Sequence, residues 1–492
     1  MTQEQEKKFR YWQWRTIIGT MIGYAIFYFV RKNFSFAIPG LTAEYGISKA
    51  TFGAVLAIGS FIYGISKLVN GFLADRVNGR WHMVTGLSVS AICNLIFGAG
   101  AVICAYFVGA DYGDAFVKAM VILFTILFIV NQIVQGCGFP PCNRLITHWV
   151  PPQELATKMS IWNTSHSIGA FVAAVLCGAI MGSMGTNMSG NPEVVARITE
   201  NLGQDVAPER LTNAIEHVGA WQWAFLIPAF IAVAGVIFII VTLRDTPKSV
   251  GLPELGGTGE NKKAESSEQE RREHNQFILH KVILNPIVWI LALGDFFVYI
   301  VRMAVLDWGP SFLQESHGLT AAQSAWVVAI FEVFGIIGML TAGVITDKLF
   351  KGRGQRTCVF CMVGVVAFVA AFCYVPEIVE HFFGVETNPL VLSGFLICTG
   401  FFLYGPQALV GVVASNQVTR RGASSALGII GFVSYIAPIV SGFVFGLVAD
   451  NFGWEVVFKI MIVVAILGLL TLAPLWNMKA DAYDHNEEAA AK

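Results

Sequence analysis

Charge is what this 492-residue sequence has least of: Asp, Glu, Lys and Arg together make up 13% of it, about half the share of an ordinary soluble domain. With 55% hydrophobic residues and a positive mean hydropathy of +0.63, that scarcity excludes a water-soluble globule and places the chain in a bilayer. Short alternating segments are missing too, which excludes a β-barrel. Cysteines number only nine and lie mostly inside apolar runs, so no disulfide framework is expected; Cys358-x-x-Cys361 has no second pair nearby to complete a zinc or redox site. There is no convergent nucleophile, no metal-ligand set and no H-E-x-x-H pattern, so neither an enzyme nor a cofactor or metal is expected. The first fifteen residues are polar and basic and lead into a long run holding Arg31 and Lys32. No cleavable signal is expected there, and the run reads as a first helix.

What is present is a series of twelve long apolar runs, at 16–38, 51–74, 82–107, 119–141, 157–184, 220–243, 286–313, 321–345, 357–380, 388–414, 421–448 and 455–478. Each is near the roughly 20 residues that a helix needs to cross a hydrocarbon core of about 30 Å. The fold class expected is therefore an all-α membrane protein. Most of the 32 Lys and Arg residues fall at the termini and in the loops on the same side, while the opposite loops hold only Lys49, Lys118, Arg197, Arg210 and Lys459. That bias predicts both termini in the cytoplasm. The longest external loop, 185–219, is acidic and suggests short amphipathic helices, with no site in it.

Two stretches repeat one skeleton. Gly23 to Pro39 and Gly294 to Pro310 both read G-x4-Y-x-V-R-x7-P, so that Gly23, Tyr28, Val30, Arg31 and Pro39 answer to Gly294, Tyr299, Val301, Arg302 and Pro310. Two halves follow, 1–244 and 282–492, each a six-helix bundle. Between them, 245–281 is rich in charge, Gly and Ser and is expected to be a cytoplasmic linker unable to bury a core. A second echo lies in GFLADRVNGR, with Gly71, Asp75 and Arg76, and GVITDKLFKGR, with Gly343, Asp347 and Lys348. This loop resembles the signature of the major facilitator superfamily, and the resemblance implies that such loops stabilise one conformation of a carrier. Two repeats meeting at a midplane site match the logic of secondary transporters.

An arginine at mid-bilayer costs about 2.5–3.5 kcal/mol on insertion scales, so it faces a cavity or a partner. Arg31 and Arg302, at equivalent places in the two halves, are expected to converge on one cavity and offer two planar forks to a dianionic oxyanion, phosphate before carboxylate. The alternative is that each pairs with a buried acid. Lys32 points about 100° away from Arg31 and reads as an ion-pair partner, with Asp307 and Glu332 as acids able to meet it across the halves. Lys67 faces either the pore or a snorkelling position. His166, with Asn163 on the same helical face, either donates to phosphate and titrates near neutral pH or packs against a backbone carbonyl. Tyr24, Tyr28, Tyr299, Tyr404 and Tyr435 offer hydroxyls and ring faces to a polyol body. Gly and Pro at GCGFPP (136–141), Pro228, Gly405-Pro406 and Pro438 mark places where helices bend.

Longer stretches point to one branch. GYAIFYFVRKNF, YGISKLVNGFLADR, QGCGFPPCNR, the WN-x2-H of Trp162 to His166, RDTPKSVGLP, FFVYIVRMAVLDWGPSFL and FLYGPQALVG resemble the organophosphate:phosphate antiporter family, which includes glycerol-3-phosphate, hexose-6-phosphate and phosphoglycerate transporters. The resemblance spans both halves. It implies that Arg31 and Arg302 bind the phosphoryl group, with Lys67, Asn163, His166 and the five tyrosines around them, and that Lys32, Asp307 and Glu332 form an interdomain charge network. It implies exchange of an external organophosphate for internal inorganic phosphate by alternating access, in a bacterial inner membrane, by a monomer with no nucleic-acid partner. VLDWGPSFL looks closest to glycerol-3-phosphate carriers, Pro406-Gln407 more like the hexose-phosphate and phosphoglycerate members. The rival readings are a sugar-phosphate sensor of the same family and a proton-coupled carrier of another small anion.

Overall fold

The computed structural model describes residues 2–109, 111–203, 208–253, 267–317, 321–384 and 388–478. Without water, long apolar segments satisfy their backbone polar groups only as helices, and the described residues are helical almost throughout. The first helix, α1 (Gln3–Tyr45), starts at a capping box between Thr2 and Gln5 and stops at Gly46, whose φ of +67° is left-handed. Its 43 residues reach about 65 Å, twice the hydrocarbon thickness, so its polar first turns stand outside the membrane. Next comes α2 (Lys49–Ala74). The third span is α3 (Gly79–Gly98) with α4 (Gly100–Val108); the fourth is α5 (Asp114–Gln135) with α6 (Phe139–Trp149), broken at the glycines of GCGFPP. α7 (Pro152–Met181) and α10 (Ala220–Thr242) enclose two short loop helices, α8 (Pro192–Leu202) and α9 (Pro208–Glu216).

Within the linker stretch, α11 (Ser267–Ile278) passes through a π turn into α12 (Pro286–His317), the first span of the second half. α13 (Ala321–Lys348) and α14 (Gly354–Phe383) follow. α15 (Pro389–Ser434) is two helices end to end, separated where Thr419 takes φ 59°, ψ 177°. Beyond it the chain kinks at Pro438 through α16 (Ala437–Ile439), a π stretch Val440–Val444 and α17 (Phe445–Phe452), and ends in α18 (Trp454–Leu472). Among the described residues, eleven helical segments are long and apolar enough to cross a membrane. The run 16–38 inside α1, which carries Arg31 and Lys32, is not among these eleven; counted with them it gives the twelve runs of the sequence.

Within the first half α1 packs on α7 and α10, and α3 on α10 and α5; in the second, α15 packs on α12, α13 and α14, and α18 on α12 and α14. The halves meet where α2 crosses α15 and α7 crosses α13. Glycine sets both crossings, because small residues let helix backbones touch. A Cβ on Gly71 would stand 2.7 Å from Gly428 Cα, and one on Gly343 2.5 Å from Ser160 Oγ.

The first residues of the linker are packed, contrary to what its composition suggests. Asp245 accepts from the Gly79 backbone N–H at 2.7 Å and pairs with Arg144 at 3.2 Å, and Leu252 is buried with Phe9 and Trp149. The chain thus docks onto the first half before it crosses to the second. At the other end of the molecule, Glu44 accepts from Gly219 N–H at 2.7 Å and Trp221 Nε1 at 3.1 Å, tying the 185–219 loop to α1. Burial pushes this carboxyl, which lies beyond the run 16–38, up to about 7.

Candidate functional site

Helical register builds the site. Tyr24, Tyr28 and Arg31 stand at i, i+4 and i+7 on α1, one face of the helix; Asp295, Tyr299 and Arg302 repeat that register on α12. The two arginines have unequal surroundings. Arg31 is ringed by aromatics: its guanidinium lies 3.9 Å from the Tyr63 ring centre and 5.6 Å from that of Tyr28. It donates to Tyr435 Oη at 3.3 Å, a contact from the first half to the second. Among the described residues no acid lies within ion-pairing distance of it. Arg302 has one: Glu332 of α13, 3.3 Å away. Its Nε also donates to Tyr404 Oη at 3.0 Å, and Tyr404 donates in turn to Glu332. For Arg302 the buried-acid alternative therefore describes what is seen, while Arg31 is left with rings and a hydroxyl.

The remaining expected residues fall into three groups. Tyr28, Tyr299 and Tyr435 gather between the arginines, Tyr299 and Tyr435 with ring centres 6.3 Å apart, and Lys67 reaches across from α2 with its ammonium 5.1 Å from the Tyr435 ring and 4.8 Å from Phe139. Lys67 thus points to the interface between the halves, not to a snorkelling position. His166 lies 6.4 Å from Tyr28, ring centre to ring centre. Its Nε2 has no hydrogen-bond partner, and Asn163, three residues earlier, is half-buried. Tyr24 is set back, buried and stacked on Trp162 at 5.1 Å.

The charge network expected across the halves looks different at Glu332, which is held inside its own half. Arg302, one helix away, and the Tyr404 hydroxyl meet the carboxylate there. Lys32 is exposed, and the side chain of Asp307 lies outside the described residues. Two residues had no signal in pattern or spacing: Tyr63, one of several aromatics in an apolar run, which joins the site at Arg31, and Asp295, which meets neither arginine and is bonded to Ser434 instead. The latter was marked only by being an acid where acids are costly.

The two signature loops form matching grips at the end of the bundle that carries the linker. Asp75, just past α2, accepts from the backbone N–H groups of Ser424 and Ser425 at 3.1 and 2.7 Å, soon after the Thr419 break in α15. Asp347, at the end of α13, accepts from the Thr157 N–H near the start of α7 at 2.7 Å. Each carboxylate thus takes backbone N–H groups within the first two turns of a helix, towards the positive end of its dipole. Arg76 donates to Asn275 of α11 at 2.8 Å, and Lys348 is exposed. Together with the glycine crossings, these grips close the seam between the halves at the linker end. Burial outweighs the hydrogen bonds at Asp75 and pushes its carboxyl up to about 6.

Comparisons with known proteins agree with this arrangement. The model of the Major Facilitator Superfamily matches residues 20–406. A probable hexose phosphate transport protein of Chlamydia pneumoniae is 32% identical over 485 residues, covering 96% of this chain and 93% of its own length. The glycerol-3-phosphate transporter of Bacillus subtilis is 34% identical over 466 residues, covering 94% and 92%. The solved structure of FucP, a superfamily transporter in the outward conformation, shares the fold with a TM-score of 0.64 at 15% identity, covering 93% of this chain and 97% of that one. The chain therefore belongs to the Major Facilitator Superfamily, a family of transporters, in the branch that holds the glycerol-3-phosphate and hexose phosphate transport proteins.

Proposed function

We propose that the protein carries an organophosphate into the cell in exchange for inorganic phosphate, with Arg31 and Arg302 as the phosphoryl ligands. The observation that carries this reading is Arg31, a guanidinium deep in the membrane with tyrosine rings and a hydroxyl around it and no acid among the described residues to neutralise it. An oxyanion supplies the missing charge. Arg302, Lys67, Asn163, His166 and the hydroxyls of Tyr28, Tyr299, Tyr404 and Tyr435 complete its surroundings. Lys32, Glu332 and Asp307 belong to the charge network that changes as the halves rock. Glycerol-3-phosphate stands first among substrates, on the likeness to the B. subtilis transporter, with hexose 6-phosphate and phosphoglycerate next.

In this reading the halves are 1–244 and 282–492, joined by 245–281, in a monomer of the bacterial inner membrane. The termini and the linker are cytoplasmic, as the Lys and Arg bias suggests, so the closed seam seals the site from the cytoplasm. Binding of the anion draws the arginines together and lowers the barrier to the opposite-facing state. Proteoliposomes loaded with phosphate test it: labelled glycerol-3-phosphate should enter only in exchange for internal phosphate. Uptake indifferent to internal phosphate would overturn the antiport.

A further inference from the structure

One acid in the membrane interior plays no part in the site described so far. Asp295 stands two turns before Arg302 on α12, at the position that Tyr24 occupies in the first half, and is 6% exposed. Its Oδ2 lies 2.5 Å from Ser434 Oγ of α15, while Oδ1 has no hydrogen-bond partner. Among the described residues no Lys or Arg comes within ion-pairing distance. The charged and titratable groups around it are Lys67 of α2, Arg302 and Tyr299 of its own helix, Cys358 of α14, and Tyr435 next to Ser434 on α15.

Hydrogens can be counted at Ser434. Its Oγ lies 2.5 Å from Asp295 Oδ2 and also 2.7 Å from the carbonyl oxygen of Ile430. A hydroxyl has one hydrogen to donate. Were Asp295 a carboxylate, two acceptors would share that hydrogen and a bare negative charge would stand in a low-dielectric interior with one oxygen orphaned. With a proton on Oδ2, Asp295 donates to Ser434, Ser434 donates to Ile430, and Oδ1 is a neutral carbonyl. Every hydrogen then has its acceptor and no charge is stranded.

We propose that Asp295 is a proton-carrying site, loaded when the linker end is closed, which couples a proton to the transport cycle. Its direction, though not its existence, rests on the transport reading above. The proton enters from water on the side opposite the linker and travels as the Asp295 carboxylic acid. It leaves to the linker side when that end opens. Lys67 is the cation that takes its place: the lysine stem lies against Gly431 of α15, where an added Cβ would be 2.6 Å from Cε, one turn before Ser434. Rocking at the α2–α15 crossing moves the ammonium relative to Asp295, and pairing with it stabilises the carboxylate left behind. One proton is taken up on one side and one is released on the other in each cycle.

Infrared spectra of the purified protein in lipid at neutral pH test the protonation without any substrate. Glu44, whose carboxyl titrates at about 7, contributes to the carbonyl stretch of protonated carboxylic acids at neutral pH. The reading is therefore the difference between wild type and Asp295→Asn, each in a Glu44→Gln background. The band should be present with Asp295 and lost in Asp295→Asn, a near-isosteric change whose folding is checked by an unchanged melting curve. A difference spectrum with no such band overturns the proposal. In proteoliposomes with a pH-sensitive dye inside, substrate entry should acidify the lumen, and Asp295→Asn should exchange labelled phosphate without acidification. Wild-type exchange with no acidification also overturns it. If no organophosphate enters at all, the transport reading fails, and the infrared result still decides the proton.

Discussion

Arg31 and Arg302 occupy the same place in two copies of one motif, yet Glu332 stands beside only the second. Charge-assisted hydrogen bonds are worth about 1.5–3 kcal/mol each, and lysine keeps the charge of arginine without its planar fork. Arg31→Lys and Arg302→Lys are therefore each expected to lower transport about 100-fold or more while the protein still inserts normally, as read by uptake against membrane abundance. Wild-type rates in Arg302→Lys would remove the two-arginine clamp. Tyr63 and Tyr404 separate two kinds of support. Tyr63 offers Arg31 its ring face, so Tyr63→Phe should leave substrate affinity within about twofold, and Tyr63→Ala should weaken it about 3- to 30-fold. The Tyr404 hydroxyl is bonded to both Arg302 and Glu332, so Tyr404→Phe alone should cost about tenfold in affinity. Titration calorimetry with inorganic phosphate measures all three.

Among the elements, the crossing of α2 with α15 and the Asp75 grip beside it hold the linker end shut. Gly71→Ala places a methyl 2.7 Å from both Gly428 Cα and the Ser424 carbonyl oxygen, contacts that only a backbone shift relieves. That variant should populate the open linker end, seen as a longer distance between spin labels at positions 76 and 275. Asp75 makes the same equilibrium respond to pH. Its carboxyl titrates near 6 when gripped and near the ordinary 3.8 once released into water, so the closed state binds the proton more tightly. As pH falls from 7.5 to 5 the closed share should therefore rise, and it should return as pH is raised. Asp75→Asn should flatten the profile; an unchanged slope in that variant would assign the pH response elsewhere.

At the level of the whole molecule, the twelve spans and the two-bundle fold were readable in advance, because hydropathy over 20 residues records the bilayer directly. The repeated skeleton likewise marked Arg31 and Arg302 as equivalent positions of the two halves. Which neighbour belongs to which arginine was not readable, since Glu332 and Tyr404 lie 30 and 102 residues from Arg302 and meet it only through helix packing. Asp295 was visible as a letter but had no partner in sequence, and Ser434, 139 residues away, is what gives it meaning. The start of the linker was misjudged from composition alone: Leu252 finds its apolar neighbours in Phe9 and Trp149, which come from distant parts of the chain.

The grip of Asp75 on α15 uses donors that belong to the main chain, and every residue except proline has that N–H. Ser424→Ala and Ser425→Ala should leave it intact, whereas Ser425→Pro should release it, as the same spin-label distance will show. Nor does the grip pair a carboxylate with a mobile surface cation. Raising ionic strength should therefore leave the closed share almost unchanged, unlike a latch of exposed ion pairs, which salt would screen within about 10 Å at 0.1 M. The Asp75 contacts thus rest on backbone donors at 424 and 425, although both side chains are buried and the Ser424 hydroxyl adds a bond of its own to the Pro140 carbonyl oxygen of the first half, at 3.1 Å.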